Sequence, residues 1–453
     1  MPFRNAMCIC TPLKSRMDPN DGRGKMRTIF PLMARVGLVS AMLLVVGCMF
    51  GDLKKEVQEE KTTYSLFGRV EGISRTESDV FVLLYSKQDN GLQLDRYTLP
   101  DDTNTYSFFI APGTYWVVGF EDRNRNQSYD PGEPVGAWGH PDEIIVTGKV
   151  KTEANLRALD NLDIELSPGP FPLAGAVTTV EDFTLMSSSL YKLGQVATWS
   201  DPIFDDSHGS TGFWKPMTFL RDQGVGIYFM SPYDPQKIPI LFVHGAAGTP
   251  RAWEPMAASL DLNRFQPWVF YYPSGLRLDQ ISTALNIMVQ RLQLDYGFER
   301  MGVVAHSMGG LVSRSFILKH LVIDGLGTVR VFVSISTPWG GVPMAAKGVK
   351  NAPEAIPSWH DVAPKSKFIQ QIFDDPLSPQ VPHYLLFGYQ GKCSMFMANN
   401  DGTVEVSSQL DLRAQKDAKD VRGLNEDHMS ILASKEAISY LNQALEVSFP
   451  EKD

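Results

Sequence analysis

Between residues 237 and 447, short apolar runs alternate with stretches that are apolar at helical spacing. Ile238–Val243 is a β-branched run, followed by a glycine-rich turn and a helical stretch around Trp253–Leu260. Phe265–Tyr272 forms the next strand. Ile281, Leu285, Met288 and Leu292 then recur on one face of a helix over 281–294. Met301–Ala305, Val329–Ile335, Tyr384–Phe387 and Asp420–Leu424 are further strands, with a helix over Gly309–Leu321. Strand and helix in regular alternation leave few solutions besides a mostly parallel, doubly wound sheet with helices on both faces.

Chemistry gathers at the ends of those strands. Ala305-His306-Ser307-Met308-Gly309 lies between a buried strand and a helix, the setting that a nucleophile elbow requires. Such a turn strains the backbone at the serine, so the residues two away must be tiny, and Ala305 and Gly309 are. The turn also aims the Met308 amide at a developing oxyanion. A second glycine-rich turn, His244-Gly245-Ala246-Ala247-Gly248, follows the Ile240–Val243 strand. Its glycines let backbone N–H groups approach a substrate.

These two turns, with Ser336-Thr337-Pro338-Trp339-Gly340-Gly341 after them, resemble the α/β-hydrolase superfamily on its lipase and esterase side. The resemblance implies that Ala246 and Met308 supply the oxyanion amides. It also implies the chain order serine, acid, histidine. His244 precedes Ser307 and is therefore read as shaping the oxyanion loop. His306 sits inside the elbow, turned away from the serine. Of the later histidines, His320 is on the serine's own helix, His383 begins a strand and His360 lies in a loop-rich insertion. His428 follows the last strand, where the family carries its base. Asp401, in the Asp401-Gly402-Thr403-Val404 loop, matches the acid; Asp374 and Asp375 precede the relevant strand, and Asp427 is read as solvated. The implied catalytic set is Ser307, Asp401 and His428, with no cofactor for catalysis. Residues 342–380 are a proline-rich insertion whose apolar stretch Phe368–Phe373 is read as a cap or lid.

Before the catalytic segment the pattern differs. Residues 64–168 alternate apolar and polar with period two between short turns, the signal of an all-β sandwich. Ala111-Pro112-Gly113-Thr114-Tyr115 is a turn leading into a strand, and the block as a whole resembles carboxypeptidase-regulatory-like or transthyretin-like sandwiches. Within this segment, Asp122, Asn124, Asn126, Ser128, Asp130 and Glu133 space oxygen-bearing side chains as a calcium loop does, with Glu133 at the twelfth position. Gln127 stands where an EF-hand loop has glycine. The alternative reading is an Asx-rich turn that caps its own backbone. Either way the loop is expected to stabilise, not to catalyse. Residues 169–235 are read as a connector packing on the hydrolase, with a weakly helical stretch at Val180–Leu193.

Residues 36–46 are an 11-residue apolar run, preceded by Arg27 and Arg35 and followed by Gly47-Cys48. That is signal-peptide order, and the run is too short to span a bilayer. Val45-Val46-Gly47-Cys48 resembles the bacterial lipobox, which implies cleavage before Cys48 and its lipidation. Met49 in the next position implies the outer membrane over the inner. Residues 1–25 fit no part of a signal and suggest a later start, with Met26 or Met17 available. The charged segment Lys54–Lys61 is read as a solvated tether within residues 48–63.

Cleavage would leave 406 residues with 35 Lys and Arg against 49 Asp and Glu, a net charge of −14. Such a balance argues against a nucleic-acid partner, which calls for a basic stripe. Cys8 and Cys10 leave with the leader, Cys48 carries the anchor, and Cys393 remains, so no internal disulfide is available. The expected protein is a serine esterase or lipase held to the membrane by lipid, acting on a lipid or small ester. The alternatives are a phospholipase or acyltransferase on envelope lipids, peptidase or thioesterase chemistry on the same triad, and a surface binding protein with an inert hydrolase fold.

Overall fold

The computed structural model describes residues 51–450, apart from 74–77, 89–90, 101–103, 140–143, 147–157, 160, 181–190, 324, 378–380 and 392–398. The leader, the lipobox with Cys48, and Cys393 lie outside the described residues.

Eight strands form the main sheet: β1 (Tyr191–Val196), β2 (Val225–Phe229), β3 (Ile238–Val243), β4 (Phe265–Tyr271), β5 (Met301–His306), β6 (Val329–Ile335), β7 (His383–Gly388) and β8 (Ala418–Leu424). Their order is β1-β2-β4-β3-β5-β6-β7-β8. Only β2 and β4 pair antiparallel; the other neighbours are parallel. Every residue of β3 and of β5 is buried, as a strand covered on both faces must be. Leu241, Val243 and Val303 face one core with Leu285, Met288 and Leu311. Ile240, Phe242 and Val304 face the other with Tyr440, Leu441 and Leu445.

The sheet begins earlier than the sequence pattern suggested. β1 and β2 fall inside residues 169–235, which were expected to be a connector. β1 carries Lys192, Gly194 and Gln195 and has no clean period. β2 is five residues long inside an aromatic stretch. Residues 191–193 of the expected helix begin β1, while 181–190 are not among the described residues. Asp206–Trp214 and Pro216–Asp222 are helices, here α2 and α3.

Two sheets precede this unit. Tyr64–Glu71 pairs antiparallel with Thr105–Ile110, and a second sheet is built around Asp79–Gln88 and Gly113–Asp122. Leu66, Val70 and Phe108 from the first share a core with Val82, Leu84 and Val117 from the second. The other face of the second sheet, with Leu83, Tyr85 and Phe120, is covered by Leu173 and Val180. The described early connector, residues 169–180, therefore packs on the β-domain.

The segment read as a solvated tether is a helix, α1, over residues 51–62. Leu53 and Val57 are buried against Ile356, with Phe213, Trp214 and Trp359 packed around them. Glu56, 6% exposed, accepts the amides of Met217 and Thr218 at 2.7 and 3.0 Å. It thus caps α3, whose own N-cap residue, Lys215, offers no side-chain bond. Asp52 pairs with Lys215 at 2.7 Å, and Glu59 pairs with Arg221. The charges that suggested solvation are spaced on one helix face and meet cations and a helix start. Replacing Glu56 by alanine strands two amides, and we expect a loss of about 1–3 kcal/mol. A thermal melt should show it as a fall of several degrees, with Glu56→Gln intermediate.

The 342–380 insertion, read as a cap or lid, is largely helical. It folds as α6 (Pro343–Asn351), α7 (Pro357–Val362) and α8 (Lys367–Gln371), of which α6 follows α4 (Leu278–Tyr296) and α5 (Met308–Leu318) in the chain. Phe368 and Ile372 belong to the main core, and the Ile372 carbonyl accepts from Arg314 Nε at 2.6 Å. Their apolar surface is buried in that core, as that of a packed cap helix would be.

Candidate active site

Ser307 joins β5 to α5 with φ 53° and ψ −130°. That left-handed conformation costs energy for a residue with a Cβ. It persists because the turn is held on both sides: the Ser307 amide donates to the Ile335 carbonyl at 2.8 Å, and Gly310 N–H donates to the Ser307 carbonyl at 3.0 Å. Gly309 is required by space. A Cβ there would lie 2.4 Å from the His244 carbonyl oxygen and 2.6 Å from that of Val243. A Cβ on Gly245 would lie 2.7 Å from Ser307 Cβ, so the two turns are in contact.

The structure brings Ser307, His428 and Asp401 together from three separate strand ends. His428 Nε2 is 3.0 Å from Ser307 Oγ, and His428 Nδ1 is 2.7 Å from Asp401 Oδ2. The other carboxylate oxygen of Asp401 accepts the amides of Thr403 and Val404 at 3.0 and 2.7 Å. The His428 amide donates to the Asp401 carbonyl at 2.8 Å, which fixes the histidine's backbone beside its acid. Asp401 is 0% exposed, and Ser307 and His428 are each 8% exposed. Burial alone would raise the Asp401 carboxyl pKa. The hydrogen bond and charge of His428 and the two amides outweigh burial and hold it below the ordinary value.

Of the two residues expected to carry oxyanion amides, Ala246 lines the cleft beside Ser307. Met308 opens α5, where the first amides of a helix have no intrahelical acceptor. Next to Ala246, the Ala247 amide donates to Ser274 Oγ at 2.9 Å. The cleft is completed by Thr249, Ala252, Trp253, Met429 and Leu432. Among the described residues, none of those lining it comes from 342–380.

The remaining histidines sort by their partners. His244 is buried, and burial pushes it down to about 4, so it is neutral. Its Nδ1 is 2.8 Å from the Gly245 carbonyl, and its ring stacks on Tyr272 at 4.2 Å, which holds the turn of residues 244–248. His320 bonds Asn286 and His383 bonds Ser334, both away from Ser307. His360 is exposed on α7. Asp427 accepts the amides of Met429 and Ser430 and so caps its own turn.

One contact was missed. His306 does turn from the serine, but its Nε2 lies 2.8 Å from the carbonyl of His428, and the two rings are 4.6 Å apart. Burial drives His306 to about 3. It is therefore neutral, and to bond a carbonyl it must carry its proton on Nε2. The signal for this was only its place in the elbow. His306→Ala removes a support of His428 without touching the reacting atoms. We expect kcat on a soluble ester to fall about tenfold, one hydrogen bond's worth, with KM unchanged. Equal kcat in the variant would assign His306 to packing alone.

In the 122–133 loop, Asp122 accepts the amides of Asn126 and Gln127, and Glu133 accepts those of Arg123 and Asp130. The side-chain amides of Asn124 and Asn126 both reach Asp130 Oδ2, at 2.6 and 2.7 Å, so these three side chains face one point. Gln127 takes φ 59°, the left-handed turn for which a calcium loop favours glycine. Among the described residues no group of three or more His, Cys, Asp or Glu is arranged to hold a metal. Amide oxygens of Asn124 and Asn126 would have to supply part of any ion's shell.

The profile of a family described as an alpha/beta hydrolase of unknown function (DUF915) matches residues 276–446. No curated protein matches by sequence. Solved structures similar to this chain include a gene product of Listeria innocua, 20% identical, covering 48% of this chain and 96% of that one, TM-score 0.37. Another is the mature lipase BlEst2 of Bacillus licheniformis, 19% identical, covering 48% and 97%, TM-score 0.39. A third is lipase B of Aspergillus fumigatus, 16% identical, covering 50% and 57%, TM-score 0.40. The eight-stranded unit has the α/β-hydrolase fold.

Proposed function

We propose that this α/β-hydrolase-fold chain is a serine hydrolase that cleaves carboxylic esters and is held at the cell envelope by a lipidated Cys48. The observation that carries the first half is the unbroken line Asp401–His428–Ser307, at 2.7 and 3.0 Å, ending on a serine in a strained turn. His428 takes the Ser307 proton as Oγ attacks the acyl carbonyl. Asp401 fixes the tautomer and stabilises the imidazolium. The amides of Ala246 and Met308 receive the oxyanion, each worth about 3–4 kcal/mol in comparable sites. His428 then protonates the leaving alcohol, and water, activated by the same histidine, releases the acid. These steps need no cofactor. An intact hydrogen-bonded set speaks against an inert binding module.

The anchor rests on the lipobox resemblance at Val45–Cys48. No described helix is long and apolar enough to cross a membrane. The second reading, a phospholipase or acyltransferase, is favoured by the same anchor, which would hold the site near lipid. Hydrolysis of p-nitrophenyl esters of increasing chain length, with phospholipid as a competing substrate, separates the two. Turnover of the esters with phospholipid untouched is the expected result. Failure of a fluorophosphonate probe to label the chain would overturn the serine-hydrolase reading.

Calcium is proposed as a stabilising ion of the 122–133 loop, with Asp122, Asn124, Asn126, Ser128, Asp130 and Glu133 as its holders. Saturating calcium at about 100 times its Kd should add about 2.7 kcal/mol. A melt in calcium should therefore run several degrees above one in chelator, and Asp130→Ala should erase the difference. Identical melts would assign the loop to its own backbone caps.

A further inference from the structure

The chemistry above makes no use of α1, yet the docking of α1 has a consequence for the membrane. We propose that the face formed by the start of α1, the end of α2 and α7 lies against the lipid bilayer, with the rim of the Ser307 cleft held one helix length from it. This rests on the lipid anchor at Cys48 proposed above. Cys48 is three residues before Gly51, and three Cα steps span at most about 11 Å. Acyl chains on Cys48 would enter the bilayer within that distance of the first turn of α1.

A free tether would leave the body unoriented, but α1 is clamped. Leu53 and Val57 are buried in the body, Glu56 caps α3, and Asp52 and Glu59 pair with Lys215 and Arg221. The anchor therefore dictates which face meets lipid. That face carries Phe213, Trp214 and Trp359, all partly buried, with the two tryptophan rings edge to face at 6.1 Å. Lys54 and Lys55, which follow Leu53 on α1, are exposed. Tryptophan and lysine are the side chains that settle at headgroup level.

Helix α2 carries this orientation to the site. Lys215, just past its end, pairs with Asp52. Gly209, nearer its start, packs on the carbonyls of Ala247 and Gly248, where a Cβ would come within 2.5 and 2.9 Å. The six steps of helix from Gly209 to Lys215 span about 9 Å, so the oxyanion turn is tied to the membrane-facing surface by one short rigid element.

The test uses the full chain carrying its lipid, reconstituted into phosphatidylethanolamine–phosphatidylglycerol vesicles with a trace of phosphatidylcholine bearing a diazirine near its headgroup. After illumination, adducts are expected to concentrate on peptides containing residues 51–55, 213–215 and 359. Adducts concentrated on the β-domain, or spread evenly, overturn the proposal. In Leu53→Glu with Val57→Glu, α1 is undocked. The freed segment of about 15 residues has a root-mean-square reach of about 20 Å, so label on the Trp214 and Trp359 peptides should drop to the level of the rest of the surface. Label unchanged in that variant also overturns it. Flotation separates the failures. A chain that does not float with vesicles lacks the anchor, and the orientation falls with it. A chain that floats with its label elsewhere keeps the anchor and loses the orientation. Turnover of a short soluble ester tests the catalytic reading separately.

Discussion

Ser307→Ala is expected to abolish fluorophosphonate labelling and to cut ester turnover by about four to six orders of magnitude, the loss seen when the nucleophile of such a triad is removed. The argument is geometric. Ser307 Oγ is the hydroxyl that faces His428 Nε2, at 3.0 Å. Alanine keeps the Cβ, so it inherits the strain of φ 53° without adding any. The contact with Gly245 is also kept, and the melting temperature should stay near that of the wild type. The loss would then be chemical, not conformational. Ser336 is the natural control: it too has positive φ, at 50°, and directly follows the neighbouring strand β6, but it is fully buried. Ser336→Ala should leave labelling intact. Labelling that survived in Ser307→Ala would sink the site assignment, whatever happened to turnover.

How much of this site could be read in the sequence depended on how local its constraints were. The elbow was legible because strain, strand, helix and two tiny flanking residues all fall within a few positions of Ser307. β3 and β5 were legible for a related reason: burial on both faces forces unbroken apolar runs. β1 was not, because a sheet edge tolerates Lys192 and Gln195, and Gly194 interrupts what pattern remains. β2 was hidden by its neighbours, since an aromatic strand inside an aromatic stretch has no contrast. The failure at α1 is more instructive. Asp52, Glu56 and Glu59 lie in the stretch 48–63 read as a tether, with Lys54–Lys61 as its solvated part, and nothing near them in sequence says otherwise. Their partners, Lys215, the start of α3 and Arg221, are more than 150 residues away. A charge's environment is a tertiary property, and one sequence does not disclose it. The bond from His306 to the His428 carbonyl was missed for the same reason.

Asp401→Asn is the second large effect, and it separates orientation from charge. Turnover should fall by about three to four orders of magnitude while Ser307, His428 and both oxyanion amides remain. In the wild type, one Asp401 oxygen is taken by the amides of Thr403 and Val404, and the other faces His428 Nδ1. An asparagine must satisfy the two backbone donors with its carbonyl oxygen. Its NH₂ then points at Nδ1 and drives the histidine proton to Nε2, the atom that has to accept from Ser307. The pH dependence follows from the sign of the Asp401 shift. Its folded pKa is depressed, because His428 and the two amides outweigh burial. The stability this provides is fully present above the ordinary carboxyl value of 3.8 and is lost as pH falls through the lower folded value. At pH 7 the variant should therefore melt below the wild type. As pH drops below about 4 the gap should close, because the wild type loses the same contribution on protonation. Melts of the two proteins at pH 7 and pH 3 check this. A gap that widened toward acid would mean that the Asp401 carboxyl is raised rather than depressed, and that burial, not His428, governs it.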